Sequence, residues 1–252
     1  MPPVSIEIDL QGTAAIVTGA AGGVGRETVA ALRRAGASVV AEDLDPAVRD
    51  LEGDGVVALV GDVADPAVAA AAVAAARERF GRLDLLVNNA ARFLLKGILD
   101  TTDDEWDGLM RSNVRGPFVH ARAALPVLAE TRGSIVNVAS VSGVVGSPGQ
   151  TAYCTTKGAV VQLTRQLAVE FAEKGVRVNA VAPGAIDTGF VDRSLGLEPG
   201  ERPMPQAVID SHPLGRVAAP REIADVIAFL ASPLAGFMTG AIVMADGGAT
   251  AR

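Results

Sequence analysis

The sequence predicts an α/β fold in which one parallel sheet of seven strands carries helices on both faces. Short runs rich in β-branched residues alternate with longer alanine-rich helical segments through most of the 252 residues. The short runs are almost entirely apolar, as in parallel strands that are buried on both faces. The composition does not change along the chain, and residues 1–252 are therefore predicted to form a single doubly wound domain.

The predicted elements alternate regularly. The strands are 14–19, 38–43, 56–62, 84–90, 133–140, 176–184 and 241–246, and the helices are roughly 24–36, 66–80, 104–130, 151–174 and 220–231. Segment 185–219 interrupts the alternation and is rich in proline and glycine. It follows the carboxyl end of the sixth strand, the edge where open α/β sheets bind ligands. We therefore expect 185–219 to be a loop that covers the substrate.

Charge and hydropathy narrow the classes of function. The formal charge of −7 argues against a nucleic acid or an anionic membrane as partner, because both need a basic face. The longest apolar run, 67–76, is too short to span a bilayer. The first basic residue is Arg26, which is unlike a signal peptide, and the single cysteine, Cys154, suits a reducing compartment. A cytoplasmic location is expected.

A glycine-rich turn, "TGAAGGVG", follows the first strand directly. Glycines at 19, 22, 23 and 25, with Val24 among them, stand where the chain turns into a helix. Backbone N–H groups and the positive end of the helix dipole can hold a pyrophosphate there, provided that no side chain blocks the approach. The strand before the turn and the helix after it favour a dinucleotide-binding site.

Acidic residues end the second and third strands. Asp43 can accept hydrogen bonds from an adenosine ribose diol and would repel a 2′-phosphate, and no Lys or Arg lies in the glycine turn or directly after Asp43. NAD is therefore predicted in preference to NADP, with Leu44 beside the adenosine and Glu42 as the competing carboxylate. Asp62, followed by Val63, either reaches the adenine edge or caps the helix that follows.

The sequence contains a single tyrosine, Tyr153, in "YCTTK". Lys157 follows at i+4, on the same face of the predicted helix. A neighbouring ammonium commonly lowers the pKa of a phenol by about one to three units. Such a phenol can exchange a proton near neutral pH, as the dehydrogenation of an alcohol requires. Ser140, at the end of the fifth strand, is placed to join this pair.

Several motifs in this order resemble the short-chain dehydrogenase/reductases. The resemblance covers nearly the whole chain, from "LQGTAAIVTG" to "MADGG". It includes the glycine turn, "NNA" after the fourth strand, Asn113 in "RSNVRG", Ser140, the Tyr153–Lys157 pair and "NAVAPG". The family implies a dinucleotide-binding domain of the Rossmann type, which commonly assembles as a tetramer.

The resemblance also implies roles for individual residues. Tyr153 would be the general acid/base, and Lys157 would lower its pKa and bind the nicotinamide ribose. Ser140 would hold the substrate oxygen. Asn113 would bend its helix and hold a water of a proton relay. The remaining implied cofactor contacts are Asn89, Ala90, Ala91, Pro183, Gly184, Ile186 and Thr188. Members that use NADP often carry an arginine where Gly22 stands, so its absence favours NAD.

The predicted substrate pocket is mostly apolar. Its wall comprises Phe93, Leu94, Val141, Ser142, Pro148, Gln150 and Phe190. Arg92 lies near the mouth, and His212 lies in the covering loop as an alternative substrate contact. No cluster of His, Cys, Asp or Glu has the spacing of a metal site, and His120, in the middle of a helix, is expected to be packed or exposed.

These features predict an NAD-dependent oxidoreductase that moves a hydride between the nicotinamide and a neutral, hydrophobic or alicyclic secondary alcohol or its ketone. One alternative is an NADPH-dependent reductase of 3-oxoacyl thioesters, and another is a dinucleotide sensor without catalysis. Apolar surface on more than one face of the helices at 104–130 and 151–174 predicts a homotetramer, with a homodimer as the alternative.

Overall fold

The structure is a computed structural model that describes residues 7–190 and 204–251. Within these ranges the strands form one sheet of order β3-β2-β1-β4-β5-β6-β7, and every neighbouring pair is parallel. The strands are β1 (Ala14–Thr18), β2 (Ser38–Asp43), β3 (Val56–Val60), β4 (Leu85–Asn88), β5 (Ser134–Val138), β6 (Arg177–Pro183) and β7 (Ile242–Ala245). The predicted seven-stranded parallel sheet is confirmed. The strand order reverses between β1 and β4, which opens a crevice at the carboxyl edge.

Helices cover both faces of this sheet. They are α1 (Gly23–Arg34), α2 (Pro66–Phe80), α3 (Asp103–Met110), α4 (Gly116–Thr131), α5 (Thr151–Phe171), α6 (Gln206–Asp210) and α7 (Pro220–Ala231). On one face, α1 and α7 bury Leu32 and Ile227 against Val17 and Val39. On the other face, helices α2, α4 and α5 enclose a second cluster that is centred on Ile16, Leu86, Leu128 and Ile135. The strands are apolar on both faces because both faces are covered.

The predicted helix 104–130 is interrupted in its middle. A capping box begins α3, in which the Thr102 hydroxyl accepts from the Glu105 backbone N–H and the Glu105 carboxylate accepts from the Thr102 N–H. Residues Arg111–Arg115 then form one turn of π-helix before α4 begins. Such turns are rare and concentrate at functional sites. The turn carries Asn113 inward, with its side chain buried.

Part of the expected covering loop 185–219 lies outside the described residues, namely 191–203. On its described flanks, Ile186 pairs with Ala218 in an isolated parallel bridge. The buried His212 accepts a hydrogen bond from the Ala185 N–H at Nε2, 3.0 Å away, and its Nδ1 donates to the Val208 carbonyl at 2.7 Å. The alternative of a substrate contact for His212 is thus not supported, because both ring nitrogens are used by the main chain.

Across the described ranges, no helix combines the length and the apolar character needed to cross a membrane.

Candidate active site

Ser140, Tyr153 and Lys157 meet at the carboxyl edge of the sheet. Ser140 follows β5 and is the N-cap of a short 3₁₀ turn, and the other two residues lie in the first two turns of α5. All three side chains are at least nine-tenths buried. The parallel register brings the end of β5 beside the start of α5, so residues thirteen and seventeen positions after Ser140 in the chain adjoin it in space.

The phenol of Tyr153 is governed first by burial. Burial raises the pKa of Tyr153 well above its ordinary value, and a hydrogen bond from the Ser140 hydroxyl opposes that rise. Ser140 Oγ in turn accepts from the Ser142 backbone N–H at 3.1 Å. From the sequence, Lys157 is expected to lower this pKa. Among the groups of the protein itself, however, the effect of burial is larger, and the pKa of Tyr153 is raised. The Tyr153 ring is removed from water, and desolvation disfavours the phenolate.

Lys157 is a buried cation that forms no ion pair with a carboxylate of the described residues. Its Nζ donates to the Val138 carbonyl at 2.8 Å and lies 5.7 Å from the centroid of the Tyr153 ring. Burial lowers the pKa of Lys157 to about 8. The ammonium is therefore still the major form at neutral pH, and it gains from any hydrogen-bond acceptor that approaches it from the crevice.

Asn113 is fully engaged by its surroundings. Its Oδ1 accepts from the Arg92 backbone N–H at 2.7 Å, and its Nδ2 donates to the Arg92 carbonyl at 2.8 Å and to Thr156 Oγ1 at 3.1 Å. Thr156 is buried in α5 next to Lys157. These contacts clamp the loop after β4, the π turn and α5 together. The sequence did not reveal the hydrogen bonds that Thr156 and the Arg92 main chain make to Asn113, because neither residue belongs to a recognisable motif.

The glycine turn forms a cradle of free N–H groups. No described residue accepts from the backbone N–H of Gly23, Val24 or Gly25 at the start of α1. Gly19 and Gly23 have positive φ, and a Cβ on Gly25 would overlap the carbonyl oxygen of Gly19. A Cβ on Gly23 would lie 3.3 Å from Cβ of Thr188. The glycine turn and the segment around Thr188, both expected to contact the cofactor, are therefore adjacent. The cradle of N–H groups fits a pyrophosphate.

The side chain of Asn89 braces this turn from behind. Its Nδ2 donates to the Thr18 carbonyl at 2.9 Å and to the Gly19 carbonyl at 3.0 Å. Thr18 Oγ1 accepts from the N–H groups of Asn89 and Ala90. The amide hydrogens of Asn89 are thus committed to the protein. Ala90 adjoins the turn, since a Cβ on Gly19 would lie 2.8 Å from the Cα of Ala90.

The two acidic strand ends take different positions. Asp43 Oδ2 accepts from the Ala21 backbone N–H at 2.9 Å, which ties the tip of β2 to the glycine turn. Leu44 beside it is exposed. Glu42, the competing carboxylate, points to the opposite side. It is buried against His120, with Oε2 2.7 Å from Nε2, so it is excluded from the ribose position.

Asp62 is partly exposed at the end of β3. Its Oδ1 accepts from the Ala64 N–H at 2.9 Å, and its Oδ2 lies 2.8 Å from an Arg111 nitrogen. These two contacts lower the pKa of Asp62. The helix-capping alternative is wrong, since Asp65 is the residue whose carboxylate caps α2 through the Ala67 N–H.

The predicted substrate wall combines apolar and polar side chains. Phe93 packs edge-on against Tyr153 with ring centroids 4.9 Å apart, and Phe190 lies 6.2 Å beyond Phe93. Leu94 packs against the same cluster. Among the polar residues, Ser142 Oγ donates to Gln150 Oε1 at 2.9 Å. Of the other expected wall residues, Val141 is half-buried and Pro148 is exposed.

The chain is similar to known oxidoreductases over most of its length. Residues 19–250 match the family model described as enoyl-(acyl carrier protein) reductase. The chain is 39% identical over 255 residues to oxidoreductase UcpA of Escherichia coli O157:H7, covering 96% of this chain and 95% of that one. It is 41% identical over 250 residues to the L-tagatose-forming galactitol 2-dehydrogenase of Cereibacter sphaeroides, covering 96% of both.

A solved structure of a related enzyme has the same fold. The 3-ketoacyl-(acyl-carrier-protein) reductase of Brucella melitensis, complexed with NADH, superposes with a TM-score of 0.88 at 32% identity, covering 96% of this chain and 100% of that one. The chain belongs to the short-chain dehydrogenase/reductase family, nicotinamide-dinucleotide oxidoreductases that act on CH–OH groups.

Proposed function

We propose that this protein is an NAD-dependent oxidoreductase that transfers a hydride between the nicotinamide and a secondary alcohol or its ketone, with a neutral, largely hydrophobic or alicyclic substrate. The observation that carries the proposal is the buried group of Ser140, Tyr153 and Lys157 beside the free N–H cradle of the glycine turn. The galactitol 2-dehydrogenase relative supports an alcohol as substrate.

Recognition of the dinucleotide follows from the crevice. The N–H groups of Gly23, Val24 and Gly25, with Thr188 opposite, bind the pyrophosphate. Asp43 accepts from the ribose diol and repels a 2′-phosphate. The further contacts assigned to the cofactor are Gly19, Gly22, Leu44, Asp62, Val63, Asn89, Ala90, Ala91, Pro183, Gly184 and Ile186. Lys157 binds the nicotinamide ribose through Nζ, which the Val138 carbonyl already orients.

Proton transfer is assigned to Tyr153. Ser140 donates to the substrate oxygen and holds it against the Tyr153 oxygen, which as phenolate accepts the alcohol proton in oxidation and as phenol returns it in reduction. Because burial raises the pKa of Tyr153, the phenolate needs positive charge nearby, and the Lys157 ammonium supplies part of it. The bound oxidised cofactor supplies the hydride acceptor and a second positive charge. Asn113 fixes the π turn whose main chain holds the relay water.

Two other functions are weighed against this one. The similarity to a 3-ketoacyl reductase keeps the NADPH-dependent reduction of 3-oxoacyl thioesters as an alternative. Asp43 at the tip of β2 and the net charge of −7 argue against it, because NADPH and an acidic carrier protein both need cations. A sensor without catalysis has no use for the buried Ser140–Tyr153 hydrogen bond.

The assembly is part of the proposal. A groove of about 980 Å³ lies between α5 and the stretch from α3 through the π turn to Phe118, and a second of about 540 Å³ lies between α4 and α5. Phe118 and Leu163 line both. Phe118 is 47% exposed. Grooves with such linings are covered by a second subunit in many oligomers, and the favoured assembly is a homotetramer, with a homodimer as the alternative. We retain the expectation of a cytoplasmic location.

The first test is NADH formation from NAD with a panel of secondary alcohols, run in parallel with NADP. Turnover with NAD that is strongest on cyclic alcohols is expected, and turnover with NADP alone would promote the thioester reductase. Tyr153→Phe should lower kcat by about 10² to 10⁴ and leave NAD binding unchanged, which is the usual contribution of a positioned acid or base. Cys154→Ala is the control and should keep full turnover. A Tyr153→Phe enzyme with intact turnover would refute the mechanism.

A further inference from the structure

Gln150 extends the line of functional side chains along α5. It precedes the first residue of the helix, Tyr153 follows at i+3, and Lys157 follows at i+7. These spacings place the three side chains on one helical face. Gln150 lies about 4.5 Å along the axis from Tyr153, at roughly 1.5 Å of rise per residue, on the side away from Lys157. If Lys157 faces the cofactor ribose, Gln150 faces the end of the substrate that is farther from the cofactor.

The amide of Gln150 is held in one orientation. Its Oε1 accepts from the Ser142 hydroxyl at 2.9 Å, and the Ser142 backbone N–H donates to Ser140 Oγ at 3.1 Å. Ser142 thus connects the Gln150 amide to Ser140 Oγ, and the Ser140 hydroxyl in turn hydrogen-bonds to Tyr153. The backbone of Gln150 is also fixed, because it forms a bridge with Lys96 in the loop after β4 and its carbonyl accepts from the Cys154 N–H.

The other end of the amide has no hydrogen-bond partner among the described residues. Among the described residues, none accepts a hydrogen bond from Nε2 of Gln150, whose side chain is only partly buried. Ser142, which occupies the other end, is buried. An oriented amide with free N–H groups donates to an acceptor on the ligand. Phe93 packs edge-on against Tyr153, Phe190 lies next to Phe93, and both rings offer apolar surface.

We propose that Gln150, oriented by Ser142, is a specificity-determining residue that donates to a second oxygen of the substrate, one or two carbons from the carbon that is oxidised. The inference rests on the proposed dehydrogenase function and refines its substrate class. The substrate is a secondary alcohol with a neighbouring hydroxyl or carbonyl on the Gln150 side and an apolar remainder against Phe93. A 1,2-diol and a 3-hydroxy ester share this chemistry.

The test compares matched substrates on matched variants with NAD present. Cyclohexane-1,2-diol is paired with cyclohexanol, and ethyl 3-hydroxybutanoate with 2-heptanol, so that each pair differs in the second oxygen function. The wild type should prefer the oxygenated member of at least one pair in kcat/KM, and that pair identifies the source of the oxygen. Gln150→Leu should remove about five- to tenfold of this preference, the effect of one net hydrogen bond.

The same variant should leave kcat/KM for the alcohol without the second oxygen within about twofold, because its contacts do not include the amide. The control is Gln11→Leu, the same exchange at an exposed position before β1, at the opposite edge of the sheet. Gln11→Leu should keep the preference. Equal losses on both members of each pair, or no preference in the wild type, would overturn the proposal.

Binding separates failure of the subsite from failure of the proposed function. Affinity for the same four compounds is measured by saturation-transfer NMR in the presence of NAD, which needs no turnover. Tighter binding of an oxygenated member that Gln150→Leu abolishes would support the subsite even if no compound is oxidised, and the dehydrogenase assignment alone would then fail. Equal binding of both members of each pair by the wild type would reject the subsite.

Discussion

Glu42, in β2, and His120, in α4, form a buried pair. Oε2 of Glu42 lies 2.7 Å from Nε2 of His120, and both side chains are within 1% of complete burial. Nδ1 of His120 faces the Gly116 carbonyl at 3.2 Å. The other carboxylate oxygen, Oε1, has no hydrogen-bond partner among the described residues. The pair joins β2, next to Asp43, to α4.

Removing one member of this pair should destabilise the protein strongly. Glu42→Ala leaves the His120 ring buried without its partner, and the free energy of unfolding should fall by about 3 to 5 kcal/mol. Urea unfolding measures the change. Glu78→Ala, at an exposed position of α2, should stay within about 0.5 kcal/mol of the wild type.

The double variant Glu42→Leu/His120→Leu tests whether the loss of stability comes from an unpaired buried imidazole or from lost packing. Two apolar side chains leave no unpaired polar group, so the double variant should be more stable than Glu42→Ala. If both are equally unstable, the loss comes from packing and not from the orphaned imidazole.

Lys157 should destabilise the folded protein at neutral pH, because its ammonium is buried. Burial lowers its pKa from the ordinary 10.5 to about 8, and so the folded state releases the proton at a lower pH than the unfolded state does. The destabilisation is complete below pH 8, where it is on the order of 3 kcal/mol, and it disappears as the pH rises through 10.5. Lys157→Met should therefore be inactive yet more stable than the wild type at pH 7.

The pH dependence tests this directly. Thermal unfolding of Lys157→Met and of the wild type is compared at pH 7, 8, 9 and 9.5, below the range where Tyr153 titrates. The advantage of the variant should shrink as the pH rises above about 8, the pKa of Lys157. Lys174→Met, at an exposed position, is the control and should show no such trend. An advantage that stays constant from pH 7 to 9.5 would contradict the titration of Lys157 as its cause.

Local patterns in the sequence were enough to predict the sheet and the Tyr153–Lys157 face. The strands are buried on both faces, so their apolar runs stand out, and i+4 spacing fixes a shared helical face whatever the tertiary structure. The glycine turn was recognisable for a similar reason, since Gly19 and Gly25 are needed where main chains approach closely. Asn113 was identified only through the family resemblance.

Contacts between distant segments were beyond sequence reasoning. Glu42 and His120 are 78 residues apart, and neither position alone reveals that β2 and α4 bring them together. The direction of the Tyr153 pKa shift depends on its burial under Phe93, which no spacing rule gives. His212 lies in a segment rich in proline and glycine, and only the structure shows that its ring ties α6 to the end of β6.

The carboxylate of Asp43 should set the cofactor preference. Asp43→Asn keeps an oxygen that can accept from the Ala21 N–H but removes the charge that repels a 2′-phosphate. The ratio of kcat/KM for NAD to that for NADP should fall about tenfold or more, which corresponds to about 1.4 kcal/mol. Steady-state kinetics with both cofactors measure it. Asp45→Asn, whose carboxylate caps the 3₁₀ turn after β2, is the control and should leave the ratio unchanged. A ratio that does not move in Asp43→Asn would remove Asp43 from the selection of the cofactor.

The face formed by α4 and α5 should be the subunit interface. Phe118 is 47% exposed, lies at both grooves and carries the Arg122 guanidinium 5.1 Å from its ring centroid. Phe118→Asp places a charge where a second subunit would need an apolar contact, and it removes no buried group of the subunit itself. Sedimentation velocity should show a species of lower mass than the wild type with an unchanged far-UV spectrum. Leu99→Asp, at a position 96% exposed in the loop before α3, should keep the wild-type mass. A wild type that sediments as a monomer, or a Phe118→Asp variant with the wild-type mass, would place the interface elsewhere or show that there is none.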